Sequence, residues 1–136
     1  MKQLDTATLR RGDWDGEAKE FAKRIPHDNP TAHIHTLCRD VEAGGLEVLN
    51  VEINGQRAGI CVYKIEEKAK KEMVIIAAFA VSGNNDLTLK LLPVMENFAK
   101  ESGCASMRFH TCRGGLVEKS FLQGFRVSEV VMRKTI

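Results

Sequence analysis

Apolar residues recur along this chain at two spacings, and the change from one to the other divides it. Trp14, Ala18, Phe21, Ala22 and Ile25 fall on one stripe at helical period behind Asp13 and Asp15, either of which can cap the helix that Pro26 ends. Asn29-Pro30 opens a second helix, with proline at the first helical position, where its missing N–H is harmless. Ile34, Leu37, Cys38 and Val41 are the buried stripe of that helix, and Gly44-Gly45 supply its left-handed exit. Ahead of both, residues 2–9 read as a short first strand.

From Leu46 onward the spacing drops towards two and β-branched residues accumulate. Residues 46–53 and 57–65 form a hairpin about Asn54-Gly55, a pair that tolerates the positive φ a tight turn needs. A charged turn over 66–71 leads to a third strand, 72–81, apolar on both faces and therefore central to a sheet. Ser82-Gly83-Asn84-Asn85-Asp86 then breaks the strand and caps a long helix through Leu87, Leu91, Leu92, Met95, Phe98 and Ala99, which Gly103 ends. Pro93 either kinks that helix or marks a late start of its regular part. Residues 106–111 make a short strand, 114–123 a short helix with Gly124 as its C-cap, and 125–134 a last strand.

The order is β-α-α-β-β-β-α-β-α-β. A meander followed by a βαβ crossover predicts an α/β protein (α+β mixed sheet) with helices on both faces of a central sheet. At 136 residues, with no repeat or low-complexity linker, residues 1–136 read as a single domain.

Composition narrows the functional classes more than it selects among them. Twenty basic against eighteen acidic residues leave +2, without the clustered excess of a nucleic-acid reader. No apolar run approaches the roughly 18–20 residues of a membrane helix, and no hydrophobic segment follows Lys2, so the reading is a soluble, cytoplasmic protein with no membrane partner. The four cysteines include no C-x-x-C pair and read as reduced thiols. His33-x-His35-x-x-Cys38 invites a metal, but residues two apart on a helix point about 200° apart, so no metal site is assigned.

Three stretches carry a resemblance. Residues 51–60, with Gly55 in the turn and Gly59 four residues on, are similar to the hairpin of the GNAT superfamily of acyl-CoA N-acyltransferases. Residues 73–81 resemble that family's fourth strand, and Leu122-Gln123-Gly124-Phe125 resembles the end of its last helix. The resemblance implies a GNAT-like fold and transfer of an acetyl group from acetyl-CoA, a coenzyme A thioester, to an unidentified amine. It further implies that the fourth and fifth strands part to admit the pantetheine arm, held along Phe79, Ala80 and Val81. The pyrophosphate would lie on amides of Gly83, Asn84, Asn85, Leu87 and Thr88, where free N–H groups and the helix dipole favour an anion.

The chain departs from that pattern at named positions. Of the family's phosphate-loop glycines only Gly83 is present, Asp86 brings the wrong charge, and Lys90 is the nearest compensating cation. The usual tyrosine acid of the last helix is Ser120, and the asparagine after the fifth strand falls near Arg113. The catalytic candidates left are Glu72 at the entry of strand four and His110 on strand five, each a general base, with Cys112 just beyond. For each there is a plainer alternative, a solvated glutamate, a surface imidazole and a core thiol. The competing functional reading is a catalytically inactive protein of this fold that works by binding, like short GNAT-like proteins encoded by bacteriophages. A third is an unrelated α+β domain of the same topology. The last strand, if its edge is exposed, would pair two subunits into a homodimer.

Overall fold

The computed structural model describes residues 7–25, 34–82, 85–86, 88–111 and 114–136. Strand β1 (Ala7–Arg11) pairs antiparallel with β2 (Glu47–Ile53), which turns through Asn54 and Gly55 into β3 (Gln56–Glu67). Both turn residues have positive φ, 53° and 81°, which is the conformation the Asn-Gly pair predicts. Strand β4 (Lys71–Ser82) runs antiparallel to β3, and β6 (Ser106–Phe109) lies parallel to β4 on its other side. The sheet is therefore mixed, with β4 at its centre.

Helix α1 (Gly16–Lys23) begins where Asp15 accepts the Ala18 N–H at 2.8 Å, and α2 (Ile34–Glu42) exits through Gly44 at φ 80°. These two cover one face of the sheet, where Ala18, Ala22, Ile25 and Leu37 pack on Ile60, Val62, Ala77 and Phe79. Helix α3 (Leu92–Glu101) covers the other, with Leu92, Met95 and Ala99 on Val51, Cys61, Tyr63, Met73 and Ile75. Helix α4 (Gly114–Phe121) ends at Gly124, φ 88°. None of the described helices is long and apolar enough to cross a membrane.

Two expectations fail. Asn85 and Asp86 do not cap a helix: they form a two-residue strand, β5 (Asn85–Asp86), folded back on Val81 and Ser82. A 3₁₀ turn over Thr88–Leu91 follows, and the α-helix starts only at Leu92, with Pro93 in its first turn where a proline loses nothing. The late start is thus the correct one of the two roles open to Pro93. The second failure is the last strand: 125–136 form no strand, and 126–136 are exposed throughout. β-propensity records how well a side chain fits a pleated neighbour, and here no described strand lies alongside. Residues 1–6, which carried part of the first expected strand, and 26–33, which carried the start of the second helix, lie outside the described residues.

Candidate active site

The register between β3 and β4 slips once. Tyr63 faces Ile75 and Val62 faces Ala77, so Ile76 is an extra residue on β4, a bulge. Side-chain placement follows the slip: Met73 and Ile75 point to the α3 face, while Ala77 and Phe79 point to the α1–α2 face. A bulge bends its strand and increases its twist. On the opposite edge, the parallel ladder with β6 pairs Glu72–Ile75 with Ser106–Phe109 and goes no further among the described residues, although β4 continues to Ser82. The parallel ladder therefore ends level with the bulge, where β6 itself ends.

Gly59 maintains this geometry from the other side. It sits opposite Ala80, and a Cβ there would stand 1.8 Å from the Phe79 carbonyl oxygen. Only a residue without a side chain lets β3 follow the bent half of β4 so closely.

His110 is the first residue beyond the ladder. Phe109 before it belongs to the α3-side core, so alternation turns His110 to the other face, and its Nδ1 is buried without a hydrogen-bond partner. A buried imidazole nitrogen left unsatisfied just beyond the end of the ladder is a proton acceptor or donor available to a bound molecule.

Glu72 stands at the other end of the ladder, about 13 Å from His110 at roughly 3.3 Å per residue. Its carboxylate accepts the Ser106 hydroxyl at 2.8 Å and the Arg108 guanidinium, which also donates to Glu66 Oε2 at 3.1 Å. The Ser106 hydrogen bond and then the charge and hydrogen bond of Arg108 hold Glu72 below the ordinary carboxylate range. Arg108 and Lys64 do the same to Glu66. The structure therefore gives Glu72 a bracing place across β3, β4 and β6, and it does not bring Glu72 and His110 to one point.

The remaining candidates divide among core, backbone and undescribed positions. Phe79 turns its ring to α1, tilted against Phe21 at 6.4 Å and 4.8 Å beneath the Arg24 guanidinium, so only its backbone is left for the β4 edge. Ala80 packs in the α3-side core and Val81 against the other cluster. Asn85 is paired with Ser82, and Thr88 opens the 3₁₀ turn, while Gly83, Asn84 and Leu87 lie outside the described residues, as do His33, Cys112 and Arg113. Among the described residues no group of three His, Cys, Asp or Glu could hold a metal ion.

Two hydroxyls are accounted for by packing. Ser120 is buried and donates to the Leu116 carbonyl at 2.7 Å, one turn back in its own helix. Tyr63 is buried edge-on to Phe98 at 5.3 Å, and burial pushes its phenol up. Cys61 is likewise sealed against Met95, its thiol pushed up to about 12, which makes it inert. The bulge at Ile76 and the Glu66–Arg108–Glu72 network are what sequence reasoning missed. Residues 73–81 are apolar on both faces, so no change of alternation marks the slip, and ion pairs between strands leave no local spacing to read.

The chain has the fold of the GNAT acetyltransferases. It aligns over 96% of its length with the whole of a Trypanosoma brucei acetyltransferase, at 15% identity and a TM-score of 0.64. A predicted acetyltransferase of Clostridium acetobutylicum, solved with acetyl-CoA, matches over 96% of both chains at 13% identity and a TM-score of 0.61. A transcriptional regulator of Bacillus halodurans C-125 matches over 96% of this chain and all of its own, at 13% identity and a TM-score of 0.65. No protein-family model and no curated protein matches the sequence. Likeness at these identities establishes the fold, and the chemistry has to be argued from the site.

Proposed function

We propose that the chain is a GNAT-type N-acetyltransferase that moves an acetyl group from acetyl-CoA to an amine. The observation that carries this reading is the coincidence of the Ile76 bulge with the end of the β4–β6 ladder, with the unsatisfied Nδ1 of His110 just beyond it. The pantetheine arm would lie along β4 where it runs on past the ladder through Phe79, Ala80 and Val81, on the stretch between the end of β6 and the pairing with β5. The pyrophosphate end rests on amides among Gly83, Asn84, Asn85, Leu87 and Thr88. The pairing of Asn85 and Asp86 with β4 leaves the 3₁₀ turn from Thr88 as the source of helical N–H groups there.

Acetyl-CoA, when bound, supplies an activated acyl carbon. His110 takes the proton of the attacking amine and is the general base. Glu72 keeps β6 fixed to the first half of β4, so that His110 stays at the mouth. Ser120 stays bonded within α4 and takes no part. The thiol proton of the departing coenzyme A comes from solvent or from the protonated His110.

The second reading, a protein of this fold that only binds, is favoured by one feature: the hydroxyl and carboxylate at the expected positions, Ser120 and Glu72, are both engaged internally. Calorimetric titration with acetyl-CoA and with free coenzyme A separates the two. Micromolar binding, about −8 kcal/mol, supports the acetyltransferase. Absence of binding at millimolar ligand ends that reading and leaves the binding protein. If binding is found, His110→Gln should leave affinity within about threefold and lower the acetylation rate roughly a hundredfold or more.

A further inference from the structure

The polypeptide beyond α4 ends in a segment that has the composition of a strand and no strand beside it. Phe125 is its last anchored residue, edge-on to Phe109 with ring centroids 5.2 Å apart and its N–H donated to the Ser120 carbonyl. Every residue after it is exposed, including Val127, Val130 at 74%, Val131 and Met132 at 87%. No glycine or proline interrupts 125–136, and three of its residues are valines. An apolar, β-branched segment of this length held in water is a pairing surface awaiting a partner.

Strand β6 of the same chain cannot be that partner for most of it. It is four residues long. Antiparallel pairing from the Phe125–Phe109 contact would use up β6 by about Glu129 and leave Val130, Val131, Met132 and Ile136 exposed as before.

We propose that the segment pairs antiparallel with the same segment of a second copy, in the register that sets Val131 opposite itself. The charges select this register. In it Glu129 faces Arg133 on both sides of the two-fold axis, Val130 faces Met132, and Ser128 faces Lys134. A two-fold axis between antiparallel strands permits only even displacements, and a displacement of two residues one way sets Arg126 opposite Lys134 and Glu129 opposite Val131. A displacement of two the other way sets Glu129 opposite Thr135 and Arg133 opposite Val131. The self-pairing is isologous, so the same edge of both segments is used and the contact closes at two copies. A two-stranded ribbon alone is marginal, and the exposed Phe121 and Leu122 at the end of α4 give it an apolar surface to pack on. This inference rests on the C-terminal segment and is independent of acetyl transfer.

The test is charge reversal in the full-length protein, read by analytical ultracentrifugation over a range of concentrations. Wild type should be dimeric. Glu129→Arg and Arg133→Glu should each weaken the dimer about tenfold or more, because each sets two like-charge pairs across the axis. The double variant E129R/R133E should return to within about threefold of wild type, and an equimolar mixture of the two single variants should form a heterodimer tighter than either homodimer. Circular dichroism of each variant should keep the helical signal of wild type, since both side chains are exposed and lie outside every described helix. A monomeric wild type overturns the proposal. So do single reversals that leave the dimer unchanged, or a double reversal that fails to restore it, the result expected if the segment were captured by β6 of the second copy.

Discussion

At the residue scale the carboxylate of Glu72 is already occupied in the folded chain. The Ser106 hydroxyl and the Arg108 guanidinium lower its proton affinity, and Arg108 lowers that of Glu66 as well. The sign of the linkage follows. A carboxylate whose folded value lies below its ordinary one adds stability above the ordinary carboxylate range, and that contribution fades as pH falls through the folded value. Glu72→Gln should therefore be less stable than wild type at pH 7, and urea midpoints of the two proteins should converge as pH falls below the ordinary carboxylate range. A gap that does not change with pH would mean that Glu72 acts by packing and not by charge. Gly59 makes a second prediction with no electrostatics in it. A methyl group 1.8 Å from the Phe79 carbonyl oxygen has to push β3 away from the bent half of β4, so Gly59→Ala should cost about 1–3 kcal/mol in urea denaturation. If the cleft is the coenzyme site, the same change should weaken coenzyme A binding. The sequence offers Gly59 plainly as a strand glycine, whereas nothing in it displays the orphaned Nδ1 of His110, because satisfaction of a buried nitrogen depends on neighbours from other elements.

At the scale of elements, α1 is held to the sheet by one residue doing two things. Asp15 caps the helix through Ala18 N–H and takes Arg57 of β3 in a two-pronged ion pair at 2.9 and 3.1 Å, while the same guanidinium reaches Asn50 of β2 at 2.9 Å. Asparagine at 15 retains a side-chain oxygen for the cap and gives up the charge; alanine gives up both. Asp15→Ala should cost about 1–2 kcal/mol and Asp15→Asn clearly less, by thermal or urea unfolding. Equal losses would show that the ion pair with Arg57, not the cap, carries the effect. The cap was legible because helix starts are written in local sequence. So were the Asn54-Gly55 turn and the Gly124 exit, each fixed by which residues tolerate positive φ. The two-residue β5 was not legible: Asn and Asp suit a helix cap and a hairpin equally, and the choice was made by Val81 and Ser82 offering a ladder. The strand expected over 125–134 shows the converse, a local preference that a single copy of the chain leaves without a neighbour.

At the scale of the whole molecule, three layers and a mixed sheet are shared with proteins at 13–15% identity, among them an acetyltransferase and a transcriptional regulator. What the shared architecture requires is the apolar patterning of β2, β3 and β4 and the order of helices, which is why the fold could be read from periodicity while the activity could not. The site and the C-terminal segment also lie on different parts of that architecture. The proposed coenzyme site involves the Ile76 bulge, Gly59 and the Glu66–Arg108–Glu72 brace, all within β3, β4 and β6. The pairing surface is confined to residues after Phe125, which bury nothing in the single copy. Disruption of one should therefore spare the other. Val131→Asp places two carboxylates face to face on the two-fold axis and should dissociate the dimer, yet coenzyme A affinity, measured by calorimetry on the monomeric variant, should stay within about twofold of wild type. A parallel loss of both would mean that the second copy reaches the cleft. The acceptor amine would then have to be sought in a site built by two chains.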